Sequence, residues 1–214
     1  DATGDGDLAY FAGAEYEKGR SSDGLMQPAT IMFRIGGVDS QPAQLAERSG
    51  VGGWRGYRFP DGVSWKQKVA AALQAGQLPE NVGTIRFYHT LRPDEEIINA
   101  TQVNFIDGTD IEDLTRAELT ARRQVQSIVD FIRANAPGYA NAHLTGMPAV
   151  IGVRETRRIL GLNYLTREDL RAGRSWPDAI ISRCRHALDI HNPSGPGQAL
   201  GRTNENPHGI DETS

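Results

Sequence analysis

Three arginines and a glutamate crowd five positions, Arg154-Glu155-Thr156-Arg157-Arg158. Guanidinium groups stay protonated near neutrality, and their planar fork matches a carboxylate through two parallel hydrogen bonds. If the segment is extended, Arg154, Thr156 and Arg158 share one face and Glu155 and Arg157 the other. Two arginines would then converge on a ligand carboxylate, or on negative charge that develops during a reaction, while the third pairs with Glu155. A salt-bridged surface strand would account for the same residues. Further along, Asp189-Ile190-His191 places a carboxylate and an imidazole on one face of a strand. His191 is therefore a candidate general acid or base, oriented by Asp189. No nucleophile accompanies it, and a structural histidine fits as well.

Near the start, Gly4-Asp5-Gly6-Asp7-Leu8-Ala9 satisfies the G-x-G-x-x-G/A spacing of a dinucleotide-binding turn. The apolar strand that should precede such a turn is missing, and two aspartates would repel a pyrophosphate. A tight acidic turn leading into a helix explains the residues better. Calcium is a poorer reading, because the twelve-residue loop with a terminal glutamate is absent. Cys184, His186 and His191 lack a fourth ligand and match no standard zinc spacing, so no metal is expected. His89 falls in an expected strand, His143 and His208 in loops, all as structural or solvated groups. Trp54, Tyr57, Phe59 and Trp65 cluster about a glycine-rich loop, where packing beneath the loop is favoured over stacking on a sugar.

These groups need a scaffold, and hydrophobic periodicity outlines one. Residues 30–35 read as a buried strand closed by Gly36-Gly37. Residues 65–75 carry Trp65, Val69, Ala72 and Leu73 at helical spacing before Gly76. Runs 84–91 and 96–106 flank Arg92-Pro93-Asp94-Glu95, an antiparallel hairpin with turn chemistry. A long helix over 115–135, capped by Thr115 and Glu118, presents Val125, Ile128, Val129 and Ile132 as one stripe. Its Arg116, Arg122, Arg123 and Arg133 are interleaved with Glu118 and Asp130, as on a solvated or interdomain face. Residues 149–159 read as a charged strand, and Thr166 with Asp169 caps a short helix ending near Gly173. Strands and helices mix without βα alternation. The expected class is α+β, a mixed, largely antiparallel sheet with one long amphipathic helix and shorter ones.

Composition narrows the partners. Among 214 residues, 23 basic and 27 acidic side chains give a net charge of −4, so no global basic field exists to hold nucleic acid or an anionic membrane. No stretch approaches the ~20 apolar residues of a membrane helix. One cysteine, Cys184, allows no internal disulfide, which suits a reducing compartment such as the cytoplasm. The chain opens on Asp1-Ala2-Thr3-Gly4 and reaches its first methionine at Met26, as expected of an excised or processed piece.

Several short motifs taken together resemble a known family. They are Asp1-Ala2-Thr3-Gly4-Asp5-Gly6-Asp7-Leu8-Ala9, Asp23-Gly24-Leu25-Met26-Gln27-Pro28, Phe33-Arg34-Ile35-Gly36-Gly37-Val38-Asp39, Asp113-Leu114-Thr115-Arg116-Ala117-Glu118 with Arg122-Arg123-Gln124, the 151–159 segment, and Asp189-Ile190-His191-Asn192-Pro193. In this order they resemble the FAD-dependent oxidoreductases distantly related to fumarate reductase flavoproteins. The resemblance implies that Ala2, Thr3, Gly4 and Asp5 edge an FAD site. It implies that the family's phosphate loop lies upstream and a second flavin contact downstream, so that this piece would not retain FAD alone. The implied layout is the end of an FAD-binding domain over 1–20, a substrate-binding domain over 21–191, and a loop over 192–214 leading back. The whole flavoprotein would pass a hydride between an organic substrate and flavin. Arg154, Arg157 or Arg158 would stabilise negative charge, and His191 would carry a proton. Its partners would be a small-molecule substrate and the rest of the chain, and the isolated piece would be inactive. The alternative is a flavin-free binding module for a carbohydrate or carboxylate; a hydrolase using Glu155 or His191 lacks a supporting motif.

Overall fold

A strand turns successive side chains to opposite faces, and Ile31, Phe33 and Ile35 are buried where Met32 and Arg34 are exposed. The computed structural model describes residues 3–49, 57–180 and 189–200. In chain order the elements are α1 (Asp7–Phe11), β1 (Tyr16–Lys18), β2 (Met32–Gly36), α2 (Ser40–Ser49), α3 (Trp65–Gln74), β3 (Arg86–His89) and β4 (Glu95–Asn99). There follow α4 (Ile111–Asn135), β5 (His143–Gly146), β6 (Arg157–Ile159), α5 (Arg167–Ala172), β7 (Ile190–His191) and β8 (Gln198–Leu200). The fold is α+β, as its sequence implies.

The principal sheet has the order β3-β4-β2-β5, and its pairings are antiparallel. Phe33 faces Ile98 and Phe87 faces Ile98 in turn, so one row of apolar side chains crosses the sheet. Helix α4 contributes Val125, Ile128, Val129 and Ile132 to the same core. Trp65, at the start of α3, lies with its ring centroid 5.8 Å from Phe87 and 5.4 Å from Phe131, joining α3, the sheet and α4. Tyr57 and Phe59 continue this aromatic packing; Trp54 lies outside the described residues. Two smaller sheets pair β1 with β6 and β7 with β8.

Four boundaries differ from the sequence reading. Helix α4 begins at Ile111, four residues before Thr115, because the Asp110 side chain accepts from the Glu112 and Asp113 backbone N–H groups at 2.9 Å each. Thr115 is inside the helix and donates back to the Ile111 carbonyl at 2.8 Å, while Glu118 pairs with Arg122. The run 96–106 stops being a strand at Asn99; beyond it Thr101, Gln102 and Asn104 are buried and bond across the fold. Residues 149–159 form no continuous strand: Gly152 makes an isolated bridge to Thr30, and only Arg157–Ile159 joins a ladder. The backbone at Gly108 abuts this stretch so closely that a Cβ there would sit 2.7 Å from the Glu155 carbonyl oxygen. Finally, His143 opens strand β5 rather than lying in a loop. The α5 capping box of Thr166 and Asp169, and Gly173 at φ 60°, are as expected.

The two competing N-caps separate in one experiment. Asp110→Ala should lower stability by about 1 kcal/mol, whereas Thr115→Ala should stay within about 0.5 kcal/mol. Urea midpoints for the two variants decide it.

Candidate functional site

Arg86 opens β3 opposite Asn99 of β4, and His191 sits on β7. These side chains, with Thr84, Thr101, Gln102 and Gly197, line a small, partly open polar crevice of about 10 Å³. His191 is only 9% exposed, and its backbone N–H donates to the Gln27 side-chain oxygen at 3.0 Å. Burial pushes the imidazole down to about 4; Arg154 and Arg86 push the same way, and Asp189 opposes them. At neutral pH the ring is therefore uncharged.

Arg154 is half-buried beside the same groups. Burial lowers its pKa, Arg86 adds to the effect, and Asp189 and Tyr88 counter it. Even lowered, a guanidinium keeps its proton near neutrality. Its Nε is enclosed yet has no hydrogen-bond partner, an unusual state for a buried charged donor.

The other two arginines lead elsewhere. Arg157 donates to Asp7 Oδ1 at 2.6 Å and to the Asp5 carbonyl at 3.2 Å, and it lies 4.3 Å from the Tyr10 ring centroid. Arg158 donates to Glu155 Oε1 at 2.7 Å and to the Gly19 carbonyl at 2.6 Å. The expected convergence of Arg154 with Arg158 does not form, because residues 153–156 leave the ladder. Arg154 instead comes within electrostatic reach of Asp189 and of Arg86, the latter from a strand nearly seventy positions away in a region that held no arginine motif. Glu155 pairs with Arg158, and its second oxygen accepts from the Gln27 backbone N–H at 3.0 Å.

The sequence model of the family described as FAD dependent oxidoreductase matches residues 1–211. The chain belongs to that family. No curated protein and no solved structure matches it. No helix among the described residues is long and apolar enough to cross a membrane, and no described group of His, Cys, Asp or Glu clusters as a metal site would. Cys184, His186 and His208 lie outside the described residues, as does Ala2.

FAD in this family invites a test of Thr3, Gly4 and Asp5. Gly4, at φ 85°, has open space where a Cβ would stand. Gly6 caps α1 in a left-handed conformation, but α1 is five residues long and no side chain caps it. The turn also carries Asp5, with one enclosed unpartnered oxygen, and Asp7, already paired to Arg157. Two carboxylates and a single helical turn do not make a pyrophosphate cradle, which needs free N–H groups and a positive field.

Residues with no local motif hold His191 in place. Asn104 Nδ2 donates to the carbonyls of Asn192 at 2.7 Å and Pro193 at 3.0 Å. Gln102 Nε2 donates to the Gly195 carbonyl at 2.6 Å, and its Oε1 accepts from Gly197 N–H at 3.2 Å. The start of the 192–214 stretch is thus bonded to the segment that follows β4, and β8 returns to pair with β7. The one sequence signal was a run of polar residues, Thr101, Gln102 and Asn104, inside an apolar segment.

Asn104→Ala should cost about 1–3 kcal/mol by stranding enclosed carbonyls, measured as a shift in urea midpoint. A pH dependence follows separately. His191 titrates near 4 when folded and near its ordinary 6.5 when unfolded, so the unfolded chain binds more protons between these values. Its contribution is complete above about pH 6.5, falls as pH drops, and is gone below about pH 4, amounting to roughly 3 kcal/mol. Urea midpoints across this window should flatten in His191→Asn.

Proposed function

We propose that this chain is the substrate-binding portion of an FAD-dependent oxidoreductase. Residues 1–20 would end its flavin-binding domain, 21–191 would shape the substrate pocket, and 192–214 would lead back toward the flavin. The full-length flavoprotein transfers a hydride between an organic substrate and flavin; the flavin supplies the redox chemistry when bound. Support comes from the family membership together with one observation: a half-buried Arg154 whose Nε lacks an acceptor, next to a neutral, enclosed His191.

In this reading Arg154 holds negative charge on the substrate, and His191 accepts or returns a proton at a ring nitrogen. Arg157 serves the site indirectly, by anchoring the turn of Thr3, Gly4 and Asp5 to β6. Arg158 braces Glu155. The isolated chain is catalytically silent because the pyrophosphate cradle lies elsewhere.

Titration of the chain with FAD, followed by absorbance and by ultrafiltration, should show no saturable binding. A stoichiometric yellow complex would place the whole cofactor site here and overturn the assignment. In the flavin-loaded full-length protein, Arg154→Gln should lower kcat/KM about 10²-fold with the flavin spectrum unchanged. An unchanged kcat/KM would remove Arg154 from the site.

A further inference from the structure

The crevice beside His191 measures about 10 Å³, room for one water molecule. With His191 itself only 9% exposed, an organic ligand has no path to the ring in this conformation. One wall of the crevice is Gly197, the last residue of the loop 192–197. Pro193 and Pro196 have no N–H to give to a ladder, and within the loop only Pro193 is buried. The Asn192 N–H closes the loop on the Gly197 carbonyl at 3.0 Å. Among the described residues, its hydrogen bonds to the rest of the fold all run to side chains. Asn104 Nδ2 holds the carbonyls of Asn192 and Pro193, Gln102 holds the Gly195 carbonyl and the Gly197 N–H, and Arg20 donates to Ser194 Oγ. His191 is secured separately: its N–H donates to Gln27 Oε1, and the Gln27 N–H is fixed on Glu155 Oε2 at 3.0 Å.

We propose that residues 192–197 are a strap that swings away as one unit from the Asn192–Gly197 pair, with Gln102 and Asn104 as its latch, and that ligand reaches His191 only when the strap is open. The inference rests on the reading of His191 and Arg154 as part of a substrate site, and it supplies the step that opens that site. The latch stays behind when the strap leaves. Gln102 exchanges two hydrogen bonds of 2.9 Å with Gln124 of α4, and its side chain also donates to Asn104 Oδ1 at 3.3 Å, so both amides belong to the rigid part of the fold. Gln27 keeps His191 in place from outside the strap, so opening uncovers the ring without carrying it away. The carbonyls and amides released on opening are taken up by water, so the exchange of partners costs far less than the gross strength of the bonds. A segment with one buried residue and no ladder along its length belongs to the low-stability end of a fold, where local opening precedes global unfolding.

Amide hydrogen exchange of the unmodified chain, read residue by residue by NMR, tests the unit. The Gly197 N–H, which the latch holds, should exchange at least about tenfold faster than the His191 N–H, which Gln27 holds, and than Ile128 in the core. Equal rates at Gly197 and Ile128 would mean that the strap opens only with the whole fold, and the inference would fall. Diethyl pyrocarbonate, located by mass spectrometry, then reports access to the ring. His89, whose side chain is 59% exposed, provides the internal reference. Asn104→Asp keeps the shape of the latch but removes its donor. It should raise His191 modification and Gly197 exchange together, about tenfold, with His89 modification and Ile128 exchange unchanged. Faster Gly197 exchange with no change in His191 modification would show that the strap does not guard the ring. The substrate-site reading is tested apart from this, by kcat/KM of Arg154→Gln in the flavin-loaded full-length protein. A loss there with a strap that never opens alone removes only the strap; an opening strap with unchanged kcat/KM removes the substrate site on which the inference rests.

Discussion

The side chains of Gln102 and Asn104 are enclosed amides, and an amide removed from water must find partners or lose several kcal/mol. They find them in the backbone of the returning chain, at Asn192, Pro193, Gly195 and Gly197. Gln102 is tied on its other side to α4, where the Gln124 amide exchanges two hydrogen bonds of 2.9 Å with its backbone. One residue thus sets the spacing between the long helix, the end of β4 and the tail. The enclosure of His191, and with it the neutrality of the ring, follows from that tie rather than from anything in the Asp189-Ile190-His191 triplet itself.

What could be read from the sequence was whatever repeats at short range. The stripe of α4, the β3–β4 hairpin, the α3 termination near Gly76 and the α5 capping box all rest on spacings of two to four residues. Their physics is local, and so is their signature. The start of α4 was misplaced because Thr115-x-x-Glu118 meets the capping template as well as its neighbourhood does; only backbone geometry shows that the free N–H groups belong to Glu112 and Asp113. Strands β1 and β5 are short and largely exposed, and leave no strong period. The crevice was hardest to see. Gln27 meets His191 across 164 positions and Asn104 meets Asn192 across 88, distances at which no spacing rule operates.

The arginine cluster shows how a period misleads when its premise fails. Alternation of faces holds only while a ladder continues, and residues 153–156, packed against Gly108, lie outside any ladder. Arg154 therefore leaves its sequence neighbours and comes under the electrostatic influence of Asp189 and Arg86. Burial first, and two guanidiniums that act in the same direction, keep the imidazole uncharged, and neither arginine releases a proton near neutrality.

Arg157 explains why the turn at the start of the chain and the crevice belong to one structure. Its side chain is 12% exposed, pairs with Asp7, and reaches the Asp5 carbonyl, so α1 is fastened to β6 through an ion pair that water reaches only in part. Breaking it would leave a largely buried cation without its partner, which is costlier than never having formed the pair. The turn of Thr3, Gly4 and Asp5 and the strand that follows Arg154 therefore keep a fixed relation. The Asp7 carboxylate, which together with Asp5 disqualifies the turn as a phosphate loop, is also the group that anchors the turn to Arg157.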